Sequence, residues 1–107
     1  MASTTVQRAE SDLAVHPGEL LGEELEVRGM SQRALAEAIG RPVQAINEIV
    51  RGKKAITAET AIQLEDALGI PAHFWLNLQS DYELAVARRL RRERSTRRRK
   101  PGAALAP

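Results

Sequence analysis

Apolar residues recur at the three- and four-residue spacing of a helix in five segments, and each segment lies between capping or helix-breaking residues. The first helix follows Pro17, a residue suited to a first turn, and is stopped by Gly29; its predicted inward side chains are Leu20, Leu21, Leu25 and Val27. The second runs from Ser31, a good N-cap, to Gly40, with an apolar face of Leu35, Ala38 and Ile39.

The next three segments continue the pattern. A third helix is predicted from about Pro42 to Arg51 and is closed by Gly52, with apolar positions at Val43, Ile46, Ile49 and Val50. Thr57 caps a fourth helix that Gly69 and Pro71 end, with inward residues Thr60, Ala61, Leu64, Ala67 and Leu68. Pro71 opens a fifth, which we expect to fray where the arginines begin and whose stripe is Phe74, Leu78, Tyr82, Ala85 and Val86.

The length and composition predict one all-α domain. A chain of 107 residues favours a single core. Only three residues are aromatic, and the abundant Ala, Leu, Glu, Arg and Gln favour helices packed through aliphatic contacts. We therefore predict a five-helix domain over residues 16–94, a disordered N-terminal arm over 1–15 and a basic disordered tail over 95–107.

The positive charge is concentrated at one end of the chain. The net charge is +2, but the 13 residues from Arg88 to Lys100 include nine basic residues and one acidic residue. The remainder is therefore acidic, with a net charge of −6. An acidic body does not bind DNA through overall charge, so any contact with a duplex requires locally placed cations.

Several classes of function are excluded by what the sequence lacks. There is no cysteine, which excludes disulfides and thiolate metal sites and suits a reducing cytoplasm. Two histidines alone make a poor metal site. Paired glutamates suit acid–base catalysis, but no nucleophile, metal-ligand set or glycine-rich phosphate loop accompanies them. No apolar run reaches the length of about eighteen residues that a membrane span needs. We expect a cytoplasmic protein without metal, cofactor, membrane contact or enzymatic activity.

The second and third helices have the form of a helix-turn-helix, the unit that reads DNA. A tight Gly40-Arg41 turn separates them, and Ala36 is small where the two helices must approach closely. A generic helical hairpin would show the same apolar spacing, but it would not need small and turn residues at both of these places.

The outward residues of the third helix are candidates for contact with bases. Gln44 and Asn47 can pair with adenine, Arg51 with guanine, Val43 with a thymine methyl group, and Glu48 can accept from cytosine. Cations and one amide flank this helix and would hold phosphate: Gln32, Arg33, Arg41, Lys53 and Lys54. The alternative is that these are solvated side chains of an amphipathic helix.

A family resemblance rests on these same residues. The segment SQRALAEAIGRPVQAINEIVRGKKAIT resembles the XRE type of helix-turn-helix found in phage repressors. The flanking segments HPGELLGEELEVRGMSQ and TAETAIQLEDALGIPAHFWLNLQSDYEL are similar to the HigA family of antitoxins, also described as VapI-like. The combination of HPGE, GKKAIT and FWLNLQ, within His16 to Leu84, is more specific than the helix-turn-helix alone.

The resemblance implies a lambda-repressor-like fold and a bacterial antitoxin. Such a protein would bind a RelE-like ribonuclease, a HigB-like toxin encoded beside it, and would repress their shared promoter as a homodimer. By position, Gln32 would contact phosphate, and Gln44, Asn47 and Arg51 would face bases or the nearby backbone. Related proteins often have Ser where Pro42 stands and a polar residue where Val43 stands, so two polar groups are missing here.

Other features have two interpretations each. The apolar residues at the start of the fifth helix suit a dimer interface or the monomer core: Phe74, Trp75, Leu76 and Leu78. The acidic residues of the first helix suit a basic partner or plain solvation: Glu19, Glu23, Glu24 and Glu26. The arginine cluster of residues 88–100 is explained either by contact with phosphate or by a solubilising role. At the level of the whole protein, the alternatives are a stand-alone regulator and a protein-binding helical module.

Overall fold

The protein is described by a computed structural model over residues 14–98, and this range holds five helices and no strand. Nearly all of the predicted N-terminal arm, and the end of the predicted tail, lie outside the described residues. The helices are α1 (Pro17–Arg28), α2 (Gln32–Ile39), α3 (Val43–Val50), α4 (Ala58–Leu68) and α5 (Ala72–Arg98). The all-α prediction is confirmed.

Local signals in the sequence place the ends of these helices. The side chains of Ser31 and Thr57 accept hydrogen bonds from the amides of the first turns of α2 and α4, as expected of N-caps. Gly29, Gly40 and Gly69 follow α1, α2 and α4 with positive φ, the left-handed conformation that favours glycine.

One hydrophobic core joins the helices within residues 15–82. α1 contributes Leu21 and Leu25, and Trp75 of α5 is fully buried. The other buried apolar side chains are Leu35, Ala36, Ile46, Ile49, Ile56, Ala61, Leu64 and Leu68. Arg28 ties the end of α1 to the end of α4, since its guanidinium donates to the Leu68 carbonyl at 2.7 Å.

Two residues predicted to face inward do not. Val27 is 82% exposed, because it follows Leu25 by two positions and about 200° of helical rotation, which turns it away from the core. Ala38 is also exposed. Around the axis of α2, Ala38 and the buried Ala36 lie on opposite sides of Leu35, so Ala38 faces away from the core.

The prediction that the fifth helix frays at the first arginines is wrong. α5 continues to Arg98 and so includes the first four residues of the predicted tail. Its sequence has neither glycine nor proline between Ala72 and Arg98, and it is rich in Arg, Leu, Glu and Ala, which are good helix formers.

Contacts divide the described chain into two units. The larger one, Val15–Tyr82, contains α1 to α4 and the start of α5. In the other unit the described residues are Ala14 and the remainder of α5 from Glu83. Within residues 14–98, no helix is long and apolar enough to cross a membrane.

Candidate nucleic-acid interface

The turn between α2 and α3 is held by its own backbone. Gly40 has a φ of +71°, and the amide of Arg41 donates to the Ala36 carbonyl at 2.9 Å. A Cβ atom at Gly40 would meet nothing within 4 Å, so glycine is favoured there by its conformational freedom and not by lack of space. Ala36 is buried, as predicted for the close approach of the two helices.

α3 has one buried face and one exposed face. Ile46 and Ile49 are buried in the core, while Gln44 is exposed and Asn47 is half-buried. Arg51, the C-cap residue that follows α3, is also exposed. Pro42 precedes α3 in an extended conformation and makes no side-chain cap hydrogen bond. The first amides of α3 therefore lack the side-chain oxygen that a serine would supply.

Asn47 and Gln32 are joined by a hydrogen bond. The Asn47 side-chain amide donates to Gln32 Oε1 at 3.2 Å, which links the outward face of α3 to the first residue of α2. The structure thus brings together a residue predicted to read a base and a residue predicted to hold phosphate.

The turn after α3 folds back onto the last part of that helix. The Glu48 carbonyl accepts from the backbone amides of Lys53 at 2.8 Å and Lys54 at 3.3 Å. The Glu48 carboxylate also lies 3.5 Å from the Lys54 ammonium. Glu48, predicted as a possible acceptor from cytosine, is therefore paired with a cation of the turn.

The three remaining predicted phosphate contacts are spread around α3. Arg33 on α2 and Lys53 after α3 are exposed, and Arg41 in the turn is half-buried. Among residues 14–98, no carboxylate forms an ion pair with any of these three cations. Val43, at the start of α3, is 40% exposed and reachable by a partner.

Sequence reasoning missed two buried polar side chains that bind backbone amides. His16 is only 6% exposed and caps α1, because its Nδ1 accepts from the Gly18 amide at 2.8 Å. Gln79 of α5 is also buried, and its Oε1 accepts from the Ile56 amide at 2.8 Å. The only signal was their place in the HPGE and FWLNLQ segments, since neither contact follows from helical spacing.

The ring of His16 lies where several elements meet. It stands edge-on to Tyr82 of α5, with ring centroids 4.8 Å apart. Burial lowers the pKa of His16 below its ordinary value of 6.5, while hydrogen bonding to the Lys54 backbone and the Glu19 carboxylate act in the opposite direction. The neutral ring is therefore the form that the fold favours.

Most of the apolar residues at the start of α5 belong to the core of the monomer. Trp75 is fully buried within the monomer, and Leu76 and Leu78 are half-buried against the same core. Phe74 is 40% exposed and packs edge-on against Trp75, with ring centroids 5.6 Å apart. Of the four residues, only Phe74 presents a substantial apolar surface to solvent.

Known proteins are similar to this chain in sequence and in fold. Residues 21–75 match the helix-turn-helix family. The chain is 48% identical over 75 residues to virulence-associated protein I of Dichelobacter nodosus, covering 69% of each chain. It is 41% identical over 71 residues to antitoxin HigA-1 of Vibrio cholerae, covering 65% of this chain and 67% of that one. The structure of Pseudomonas aeruginosa antitoxin HigA with the higBA promoter superimposes with a TM-score of 0.73 at 37% identity, covering 83% and 98% of the two chains.

The fold and the exposed face of α3 define a helix-turn-helix protein of the DNA-binding class. Within that class, the chain belongs to the HigA (VapI-like) antitoxin family with an XRE-type helix-turn-helix. This is a family of DNA-binding proteins and not of enzymes.

Proposed function

We propose that this chain is the antitoxin of a type II toxin–antitoxin pair, which binds an operator in its own promoter through α3 and neutralises a RelE-like ribonuclease. The observation that carries the proposal is the outward face of α3 and its C-cap, formed by Gln44, Asn47 and Arg51 above the buried Ile46 and Ile49. The likeness to the P. aeruginosa antitoxin with its promoter supports the same use of this face.

The chemistry of this face suits the major groove. Gln44 and Asn47 carry amides that can donate to and accept from one adenine, and Arg51 has the fork that matches guanine. Val43 stands beside Gln44 and offers a methyl surface for thymine. Each paired contact contributes about 1 to 3 kcal/mol of discrimination against a wrong base.

The surrounding polar groups suit the DNA backbone. Gln32 begins α2, Arg41 lies in the turn, and Lys53 and Lys54 follow α3; Arg33 adds a further exposed cation. Such contacts set the orientation of a domain on the duplex without reading sequence. In this proposal these residues supply the locally placed cations that an acidic domain needs in order to contact a duplex.

The functional unit in this proposal is a homodimer. One small domain reading one half-site competes poorly with nonspecific DNA, whereas a two-fold dimer reads two half-sites. The exposed Phe74 is an apolar side chain available for such a contact.

The toxin surface in this proposal is the acidic side of α1. Glu19, Glu23 and Glu26 are exposed, whereas Glu24 is paired with Arg28 at 2.8 Å. The three exposed carboxylates offer a basic ribonuclease a complementary surface. The same residues line an open groove along α1 with Gly22 and Met30.

Co-expression with the neighbouring gene tests the proposal. We expect the neighbouring product to arrest growth, this chain to relieve the arrest, and the two proteins to co-purify. Glu23→Lys combined with Glu26→Lys should weaken the rescue, while Asp66→Lys, an exposed charge reversal on α4, should not. Asn47→Ala should keep the rescue and lose repression of a promoter reporter.

Other outcomes would support different functions. Specific binding to the promoter, without toxicity or complex formation by the neighbouring product, would favour a stand-alone XRE-family regulator. Failure to bind any duplex at low salt would instead favour a protein-binding helical module.

A further inference from the structure

The side chain of His16 lies against three separate parts of the fold. Its Nδ1 accepts from Gly18 in the first turn of α1, and its ring stands edge-on to Tyr82 of α5. On its third side lies the turn that follows α3, through Gly52 and the Lys54 backbone. The side chain therefore joins the start of α1 to the end of the candidate DNA-reading unit.

The hydrogen bonds define the state of the ring. Because Nδ1 accepts from the Gly18 amide, the proton of the neutral imidazole resides on Nε2, which is then a donor. The Lys54 amide donates to the Glu48 carbonyl. The Lys54 backbone also lies near the ring, where hydrogen bonding to it opposes the lowering of the His16 pKa by burial.

Two glycines show how closely the chain is packed around His16. A methyl group at Gly18 would overlap the carbonyl oxygen of Ile49, so the start of α1 lies directly against the last turn of α3. Gly52 has a φ of +78°, and a Cβ there would lie 3.6 Å from Cγ of the His16 ring. The distance between the two segments is therefore set by backbone contact and by the ring.

We propose that His16 is a positioning residue for DNA binding, which holds the turn from Gly52 to Lys54 so that Lys53 and Lys54 are presented together to the phosphate backbone. This inference rests on the proposed DNA-binding function. The amides of Lys53 and Lys54 are bound by the Glu48 carbonyl on one side, and the His16 ring packs against Gly52 on the other. The turn is thus fixed before DNA arrives, and binding does not have to order it.

The test separates capping of α1 from positioning of the turn. His16→Asn and His16→Ser both keep a good N-cap for Gly18, but neither side chain has a ring to pack against Gly52 and Tyr82. The matched control is His73→Asn, since His73 is exposed on α5. The wild-type chain, these three variants and Lys54→Ala are titrated with the promoter duplex over a range of salt concentrations.

We expect the folded His16 variants to bind about tenfold more weakly than wild type at moderate salt. The slope of log affinity against log salt should become shallower by about one unit for each phosphate that the variant no longer neutralises, as it does for Lys54→Ala. His16→Asn combined with Lys54→Ala should show less than the sum of the single effects, because both changes act on the same interaction with DNA. His73→Asn should match wild type in affinity and slope.

Hydrogen exchange provides a measurement that needs no DNA. The Lys53 and Lys54 amides should exchange faster in the His16 variants, while the Ile46 and Ile49 amides in the core remain protected. Folded His16 variants with wild-type affinity, salt slope and exchange rates would overturn the inference and leave the proposed function intact. A wild-type chain that binds no duplex would instead overturn the proposed function itself.

Discussion

The side-chain amide of Asn47 donates a hydrogen bond to Gln32 Oε1 at 3.2 Å, across the turn that separates α2 from α3. The two residues are 15 positions apart, and the first faces outward on α3 while the second begins α2. The bond leaves the Asn47 carbonyl oxygen and one amide hydrogen for a base. It therefore orients a candidate base contact by means of a candidate phosphate contact.

Replacement of Asn47 by alanine should reduce sequence discrimination at one base pair of each half-site. The decrease should be about 1 to 3 kcal/mol, because a paired amide contact to a base edge is removed. The measurement is the affinity for a set of operator duplexes in which each position is changed in turn.

The matched control for this change is Asn77→Ala, which removes the same side chain from an exposed position on α5. It should leave affinity and discrimination unchanged. If Asn47→Ala retains wild-type discrimination at every position, Asn47 does not read a base.

Removal of residues 95–107 should weaken binding to all duplexes together. This segment includes four basic residues, of which Arg97 is exposed on α5. Removal of cations that bind phosphate lowers affinity without changing sequence preference and reduces the salt slope by about 0.9 per phosphate. Affinities for operator and random duplexes, measured at several salt concentrations, provide the comparison.

A shorter deletion is the control for that experiment. A chain that ends at Pro101 keeps every basic residue and should bind as the full chain does. A decrease in affinity confined to the specific operator would contradict the assignment of the arginines to phosphate.

Gly18→Ala should destabilise the fold, whereas Gly22→Ala should not. The methyl group at residue 18 would overlap the Ile49 carbonyl, and overpacking of this kind costs about 1 to 3 kcal/mol. At residue 22 the nearest atom is a methyl carbon of Val50 at 3.3 Å, so that a shift of only a few tenths of an ångström is needed, and alanine is favoured over glycine within a helix by about 1 kcal/mol. Fluorescence of Trp75, the only tryptophan, reports urea unfolding of both variants. Equal unfolding midpoints for the two would contradict the close approach of α1 and α3.

The free energy of unfolding should decrease as the pH falls below about 6.5. Burial lowers the pKa of His16 from its ordinary value of 6.5, so the unfolded chain takes up a proton that the folded chain resists. The stability is therefore complete above the pKa of the unfolded chain and is lost as the pH falls through that of the folded chain. Urea unfolding at several pH values measures this dependence.

His16→Asn should remove this part of the pH dependence, since asparagine caps α1 without titrating. His73→Asn should retain it. A pH dependence that survives in His16→Asn would assign the effect to other groups.

The helix limits were predictable because their causes are local. Ser31 and Thr57 cap their helices through amides three residues ahead, and glycines end three helices in the left-handed conformation. The exposed positions of α3 also followed from helical spacing alone. The prediction for Val27 is wrong because helical spacing was applied too loosely to the stripe that Leu21 and Leu25 define. The prediction for the end of α5 is wrong for another reason, since the arginines are themselves good helix formers.

The sequence by itself determined the five helices, most of the buried apolar positions and the outward residues of α3, because each depends on neighbours within one or two turns. Only the tertiary structure decided which polar groups meet across the fold. His16 contacts Tyr82, Gln79 accepts from Ile56, Arg28 donates to Leu68 and Asn47 donates to Gln32, over separations of 15 to 66 positions. Such pairs are set by the packing of whole helices against one core, and helical periodicity holds no information about them.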